Sequence, residues 1–539
     1  MIEALSKESQ PNGTAFGDRL LNFLLATSEK FAPLLFLTLI AYVFFKGLAQ
    51  AATSAVTADE TFTLALAREP RAGALWHALM RGADGQPPLF YLLERLFLRV
   101  STNPQVTLRL PSILAFCCVL TCVFFFVKKR ASPGQALMCS LLLLNSSLYL
   151  IFAGQARPYG LVAAGVAFAM VCYQRVAKPL WTVLLFFSLA LTVSLHYYAI
   201  FALGAFITGE AIYCWATRKA RIGVWAAIFA GALPLILCWP ILNAQKQIFA
   251  QHFWAQPTLS SVLLSYSTFF LLPAFLGLGF VVVLGIALIT AEQWSFFRKR
   301  ETVVEPDCTA HETALILTML LTPIVLAAVA FIAHGAFLDR YVIWVTVGIV
   351  VGVGYLLPRL SGTALAAMAL FLAIVTSGQE VRSLHLLQLQ ARQAPEAPDA
   401  RLQRLLHSAG HENLPVLLWS AYFDICYYAS HGTAERLVTI TDIAGAVDYL
   451  GTDTLEKLAS AMGSYGSCRV FEFGTFAAAH EEFLLYSTDF SVRQGTTGFY
   501  DWWIFKLLQD RYKLELVAAE GNARLYLVRA PQRRVSAGL

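Results

Sequence analysis

Charge is scarce in this chain. Asp, Glu, Lys and Arg supply 14% of its 539 residues, where a soluble domain carries about a quarter. With 58% hydrophobic residues and a mean hydropathy of +0.61, a water-soluble globule is excluded. The net charge of +6 is modest and no basic stripe with interleaved aromatics is present, so a nucleic-acid surface is excluded too. No Cys/His cluster has zinc-like spacing, and no internal repeat is visible. Seven of the ten cysteines (Cys117, Cys118, Cys122, Cys139, Cys172, Cys214, Cys238) fall inside apolar runs, where they pack as small hydrophobes. Cys426 and Cys468 lie in a polar C-terminal region, and a non-cytoplasmic location there permits a disulfide between them. The short, positive start of a cleavable signal peptide is also missing. Residues 1–30 are slightly negative and read as a cytoplasmic or interfacial segment before an uncleaved span.

What the chain has in abundance is long apolar runs. They fall at about 31–50, 108–127, 134–153, 159–174, 180–196, 197–215, 222–242, 260–291, 312–333, 340–357 and 362–378. A bilayer-spanning helix takes roughly 20 apolar residues, so about eleven transmembrane helices are expected. The 260–291 run is too long for one span and carries Pro273, as a re-entrant piece followed by a span would. Alternate connectors hold Lys128-Lys129-Arg130, Arg175 and Lys178, Arg218-Lys219 and Arg221, Arg298-Lys299-Arg300, and Arg359. The excess of Lys and Arg marks the cytoplasmic side. The N-terminus is therefore expected in the cytoplasm, with residues 51–107 and everything after 378 outside.

Within the first external loop, 51–107, apolar residues from Leu89 to Val100 recur at helical spacing among Glu94, Arg95 and Arg99. That pattern fits a helix lying in the interface. Residues 379–539 are more polar, with strand-like runs at 416–419, 470–473, 514–517 and 524–528 and helix-like segments such as 454–462. They read as a small extracytoplasmic α/β domain behind a helical linker carrying Pro395 and Pro398. The fold class is thus a polytopic α-helical membrane protein, a 31–378 transmembrane module with a 379–539 C-terminal domain.

The external connectors hold the residues capable of chemistry. Asp59-Glu60 follows the first span; such a carboxylate pair is a general base or a substrate or metal anchor, against the blander account of a solvated interfacial charge. Gln86-Pro87-Pro88-Leu89-Phe90-Tyr91 introduces the interfacial helix, and its prolines fix a rigid helix start. Arg109-Leu110-Pro111-Ser112 opens the second span, where snorkelling accounts for a lone Arg. Ala156-Arg157-Pro158-Tyr159 starts the fourth, at a helix N-terminus that favours anions. His196-Tyr197-Tyr198 and Asp339-Arg340-Tyr341 mark later external turns. Three Arg, a His, several Tyr and a carboxylate pair thus fall on one face. Arg holds phosphate through a planar fork of donors, and ionisable residues gathered at span ends are functional by default.

This ordered set resembles the bacterial dolichyl-phosphate-mannose–protein mannosyltransferase-like group, which includes the lipid A aminoarabinose transferase and belongs to the C-type (GT-C) glycosyltransferases. The resemblance runs over 31–378 and is strongest from Asp59 to Tyr159. It implies inverting transfer of a sugar from a polyprenyl-phosphate carrier to an acceptor hydroxyl or phosphate on the extracytoplasmic face of the inner membrane. The acceptor class is lipid, glycan or protein. By the same resemblance, Asp59 is the general base and Glu60 assists it. Arg157 and Arg340 meet the departing lipid phosphate, His196, Tyr159 and Tyr341 line the donor site, and Gln86, Tyr91 and Arg109 shape the first-loop cavity. Some members carry His where this chain has Gln86, so an imidazole role there is not transferred. A single Asp-Glu pair defines no metal site, since Mg²⁺ usually takes two or more carboxylates with phosphate oxygens; a divalent Mg or Mn ion is left open. Two other readings remain, a transporter or flippase of a polyprenyl-linked sugar and a polysaccharide polymerase or ligase. Transporters favour repeats and midplane sites, and polymerases place their large external loop late in the chain.

Overall fold

A computed structural model describes residues 13–269, 310–333, 335–360, 362–393, 397–418, 422–463, 469–488 and 499–530. The first helix, α1 (Gly13–Thr53), is followed by three short helices, α2 (Ala58–Arg68), α3 (Ala72–Met80) and α4 (Pro88–Phe97). The apolar runs then give α5 (Pro104–Lys128), α6 (Pro133–Leu144), a π-helical turn at Leu148–Phe152, α7 (Tyr159–Tyr173), α8 (Pro179–Leu195) and α9 (Ile200–Thr217). Next come α10 (Ile222–Ala230), α11 (Leu233–Leu237), α12 (Trp239–Phe249), α13 (Leu259–Thr268), α14 (Ala310–Ala333), α15 (Val345–Leu356) and α16 (Gly362–Gln393). Among the described residues five helices are long and apolar enough to cross a membrane, a further apolar pair, Ile222–Leu237 and Trp239–Phe249, is bent by 58° as a broken span or a re-entrant loop is, and α6, α7, α8 and α15 are shorter apolar helices. The bend falls where Pro234 and Pro240 interrupt the backbone ladder. Most of the 260–291 run, the Arg298-Lys299-Arg300 connector, Pro395, Trp419 and Cys468 lie outside the described residues.

Packing within the bundle follows small residues. At Gly165 a Cβ would meet Thr192 Oγ1 at 2.0 Å, so glycine there lets α7 and α8 close. The Ser188 hydroxyl then donates to the Gly165 carbonyl at 2.7 Å. Further along, Lys46 of α1 pairs with Glu380 of α16, both nearly buried. Tyr42 donates to the same carboxylate at 2.6 Å, and Lys46 reaches the Tyr149 hydroxyl at 3.0 Å. Charges in a lipid-facing bundle survive when paired in this way.

The C-terminal region builds α17 (Ala400–Ala409), α18 (Tyr422–Tyr428), α19 (His431–Ala434), α20 (Ile443–Leu450), α21 (Thr454–Met462), α22 (Phe473–Ala479) and α23 (Phe499–Arg511) around one six-stranded sheet. Its strands are β1 (Val416–Leu417), β2 (Leu437–Thr441), β3 (Arg469–Glu472), β4 (Glu482–Thr488), β5 (Lys513–Glu520) and β6 (Ala523–Arg529), in the order β3-β2-β1-β4-β6-β5. The first four are parallel, and β6 joins β4 and β5 antiparallel. Helices cover both faces, as a parallel sheet requires, and two apolar clusters form, one around Tyr422 and Leu527 and one around Leu485 and Leu507. Cys426 is disulfide-bonded. The unit seats on the bundle through α21: Lys457 donates to the Ile248 carbonyl at 2.7 Å and Thr454 accepts from Trp254 N at 3.3 Å.

Candidate active site

The short helices α2–α4 lie at one end of the bundle, and local rules place each of them. Thr57-x-x-Glu60 carries the capping-box pattern, and the Glu60 carboxylate reaches back to the Thr57 N–H at 2.9 Å. Helix α3 ends at Gly82, whose φ of +81° is the left-handed conformation of a helix stop, while Ala83 N closes onto Ala78 O at 3.1 Å. That turn presents Asp84. Pro87 and Pro88 then start α4, with Phe90, Tyr91 and Glu94 buried.

The carboxylates of Asp59 and Glu60 part company. Glu60 is buried and takes two hydrogen bonds from Arg109, Nε at 2.8 Å and Nη2 at 2.6 Å, and one from Ala156 N at 2.9 Å. Burial alone would raise this carboxyl, but Arg109 and the amides of Ala156 and Thr57 outweigh it and hold it below the usual range. The remaining Arg109 donors go to the carbonyls of Ala51, Ser54 and Ala55. Arg109 therefore does not snorkel; with Glu60 it ties the end of α1, the start of α2 and the 154–158 turn together. Asp59 points elsewhere. Its side chain is 38% exposed and faces Arg340 Nη1 at 3.8 Å.

Arg157 is not a free cation. It is buried, and its Nη1 and Nη2 donate to Asp84 at 2.6 and 3.2 Å. Despite burial, Arg157 and the Gly85 amide keep the Asp84 carboxyl below its ordinary range. Sequence reasoning missed Asp84; its signal is the Asp-Gly turn just ahead of Gln86-Pro87-Pro88. Glu94, expected on the polar side of an interfacial helix, turns inward instead. It is fully buried, neither carboxylate oxygen has a partner among the described residues, and burial next to Glu60 pushes it well up.

The residues expected on the donor side converge. Rings of Tyr159 and His196 stand 5.6 Å apart, His196 and Tyr341 5.2 Å, and Tyr198 and Tyr341 4.8 Å in a stack. Arg340 lies over Tyr159 at 5.7 Å. His196 Nδ1 accepts from the Tyr198 amide at 3.2 Å, and burial, helped by Arg157 and Arg340, pushes the imidazole down to about 3. It is a neutral ring. Among the described residues Arg157 Nε, Arg340 Nε, Trp344 Nε1 and Gln86 Oε1 are buried without a partner. Two guanidinium nitrogens without acceptors beside a half-open carboxylate form a surface for an anion. No group of three or more His, Cys, Asp or Glu side chains that could hold a metal occurs among the described residues. Glu60 is committed to Arg109 and Asp84 to Arg157.

The architecture is a membrane bundle with short helices over one end and a small mixed sheet beside them. Two solved structures share it. One is ArnT, the lipid A aminoarabinose transferase, from Cupriavidus metallidurans bound to undecaprenyl phosphate (TM-score 0.53, 13% identity). The other is the same protein in the apo state (TM-score 0.54, 12% identity). Each match covers 92% of this chain and 97% of the other. No protein-family model and no curated protein matches the chain.

Proposed function

We propose that this protein is an inverting glycosyltransferase that moves a sugar from a polyprenyl-phosphate carrier to an acceptor at the extracytoplasmic face of a bacterial inner membrane. The observation that carries this reading is the meeting of Asp59 with Arg340, 3.8 Å apart, beside the orphaned Nε atoms of Arg340 and Arg157. One protein of this fold was solved with undecaprenyl phosphate, which supports a lipid phosphate as the anion. The described basic connectors, at 128–130, 175–178, 218–221 and 359, follow the ends of α5, α7, α9 and α15 away from α2–α4, and the positive-inside rule supports an external site and C-terminal unit.

The chemistry follows from the geometry. Asp59 accepts the proton of the acceptor hydroxyl as its oxygen bonds to the anomeric carbon. The bond from that carbon to the phosphate oxygen breaks on the opposite side, and its electron pair leaves on the lipid phosphate. Arg340, drawn from Asp59 to the phosphate, offsets the growing charge, with the Asp84-held Arg157 behind it. The Tyr159, His196, Tyr198 and Tyr341 rings wall the donor side and exclude water, which would otherwise hydrolyse the sugar. The test is transfer from radiolabelled undecaprenyl-phosphate sugars by purified protein in proteoliposomes. Wild type is expected to release undecaprenyl phosphate, and Asp59→Ala and Arg340→Ala to fail. Normal transfer by Asp59→Ala would sink the base assignment, and movement of intact donor across the bilayer without bond cleavage would favour a transporter.

A further inference from the structure

The C-terminal unit reaches the site through α18. Phe423, Asp424, Tyr427 and Tyr428 follow helical spacing and share one face of that helix. Three of them touch the α2 region. The Phe423 ring meets Phe62 edge-on at 4.5 Å, and Tyr427 packs on the cluster of Leu64, Leu108 and Ala156. The Tyr428 hydroxyl accepts from Val56 N at 2.8 Å and from Gln105 Nε2 at 3.1 Å. Asp424 is the fourth member of this face. On α2, Asp59 precedes Phe62 by three residues, so the two share a side, and the contact turns Asp424 toward Asp59 and Glu60.

A carboxyl in that position has no structural account. Its Oδ1 is buried and finds no hydrogen-bond partner among the described residues, and an unsatisfied polar atom in such a contact destabilises it. The charged groups facing it are two more carboxylates, Asp59 and Glu60. Arg109 is taken up by Glu60, and Arg68 stands at Tyr427. Strand β2, also packed against α18, contributes Leu437–Thr441 and no titratable side chain, and Arg469 of β3 stands at Tyr422, whose hydroxyl donates to the Arg469 carbonyl.

We propose that Asp424 is a catalytic-site residue supplied by the C-terminal unit, its carboxyl holding the acceptor hydroxyl against Asp59. This rests on the transferase reading and assigns to the C-terminal unit the acceptor side of the same site. Asp424 keeps its own proton, and the bonds made and broken remain those given above. Burial beside Asp59 and Glu60 pushes its carboxyl up to about 7, so the neutral acid is a hydrogen-bond donor to the acceptor oxygen over the lower part of the neutral range. Above that range it becomes a third anion at the site and repels the other two.

The experiment uses the full-length protein in proteoliposomes, radiolabelled undecaprenyl-phosphate sugars as donors, total bacterial envelope lipid as acceptor, and separate binding of undecaprenyl phosphate. Asp424→Ala is expected to lower kcat/KM for the acceptor at least about tenfold, the loss of one well-placed hydrogen bond, with undecaprenyl phosphate binding unchanged. Asp424→Asn, which keeps a donor and the shape, is expected to transfer at low pH and to lose the decline expected of wild type between about pH 6 and 8. Intact transfer by Asp424→Ala, or a decline that survives in Asp424→Asn, overturns this proposal alone. Parallel loss of transfer and undecaprenyl phosphate binding in both variants also overturns it, since that marks a structural residue. A wild type that binds undecaprenyl phosphate but never breaks the sugar–phosphate bond overturns the transferase reading, and this proposal with it.

Discussion

The two ends of the helical bundle use the same residue types to opposite effect. At the end away from α2–α4, two arginines, Arg130 and Arg221, are engaged with carboxylates. Arg130 forks onto Glu312 at 2.7 and 3.0 Å, with Tyr355 on the same carboxylate. Arg221 donates through Nε to both oxygens of Glu210 at 3.0 and 3.1 Å and lies over the Tyr213 ring at 3.6 Å. At the α2–α4 end, Arg109 and Glu60 follow that pattern, but Arg157 and Arg340 each keep a buried nitrogen without an acceptor, and Asp59 is half-open. The difference separates charge used to hold helices from charge held ready for a ligand. A pair whose donors are all spent holds helices together; an incomplete pair near the surface is a candidate site.

That contrast can be broken by experiment. The largest effect is expected from Asp59→Asn and Arg340→Gln, which should slow transfer by about 10²–10⁴-fold while thermal unfolding shifts little. A matched loss of stability and activity would place both residues in the scaffold. Next come Glu60→Gln and Glu312→Gln, each of which leaves a buried guanidinium without its partner, a change that typically costs about 3–5 kcal/mol. Both should unfold at lower temperature, yet among folded molecules only Glu60→Gln should lose transfer, because Arg109 and Glu60 fix the turn carrying Arg157.

A smaller effect belongs to His196. Its folded-state value of about 3 lies below the roughly 6.5 of an unfolded histidine, so between these values the unfolded chain binds more protons. The stability is complete above about pH 6.5 and is lost as pH falls toward the folded value. The thermal midpoint should drop on acidification, and His196→Gln should flatten that dependence without adding a limb to the pH–rate profile near neutrality. The smallest effect is expected at the exposed Arg404–Glu520 pair, where Glu520→Gln should change neither unfolding nor transfer measurably.

The helices were legible because each apolar run other than 260–291 finds a helix, and composition alone dictates that in a membrane. The convergence of Asp59, Arg157, His196, Arg340 and Tyr341 at one end was legible from connector order. The partners were not. Arg109 read as a snorkelling side chain because nothing in its neighbourhood announces Glu60, 49 positions earlier in the chain. The Thr57-x-x-Glu60 pattern does announce that Glu60 turns back toward its own helix start, and it separates Glu60 from Asp59 in advance. Asp84 and Asp424 are set by contacts between distant segments, and no spacing rule encodes them. Cys426 is in a disulfide, as its polar surroundings allowed, while Cys468 lies outside the described residues.

Helix α16 also has a consequence as a ruler. It is 32 residues long, and at 1.5 Å per residue it extends about 48 Å, well past a hydrocarbon core of about 30 Å. Lys46 clamps it at Glu380, so the remainder of the helix is a rigid stalk of set length between the bilayer and the sheet. The sheet unit is thereby held at a fixed altitude, and under the proposed transfer acceptors would be sorted by how far their reactive hydroxyl stands above the lipid surface. Inserting one helical turn after Glu380 should lift that altitude by about 5 Å and shift preference toward longer-stemmed acceptors; an unchanged preference would show that the stalk does not measure height.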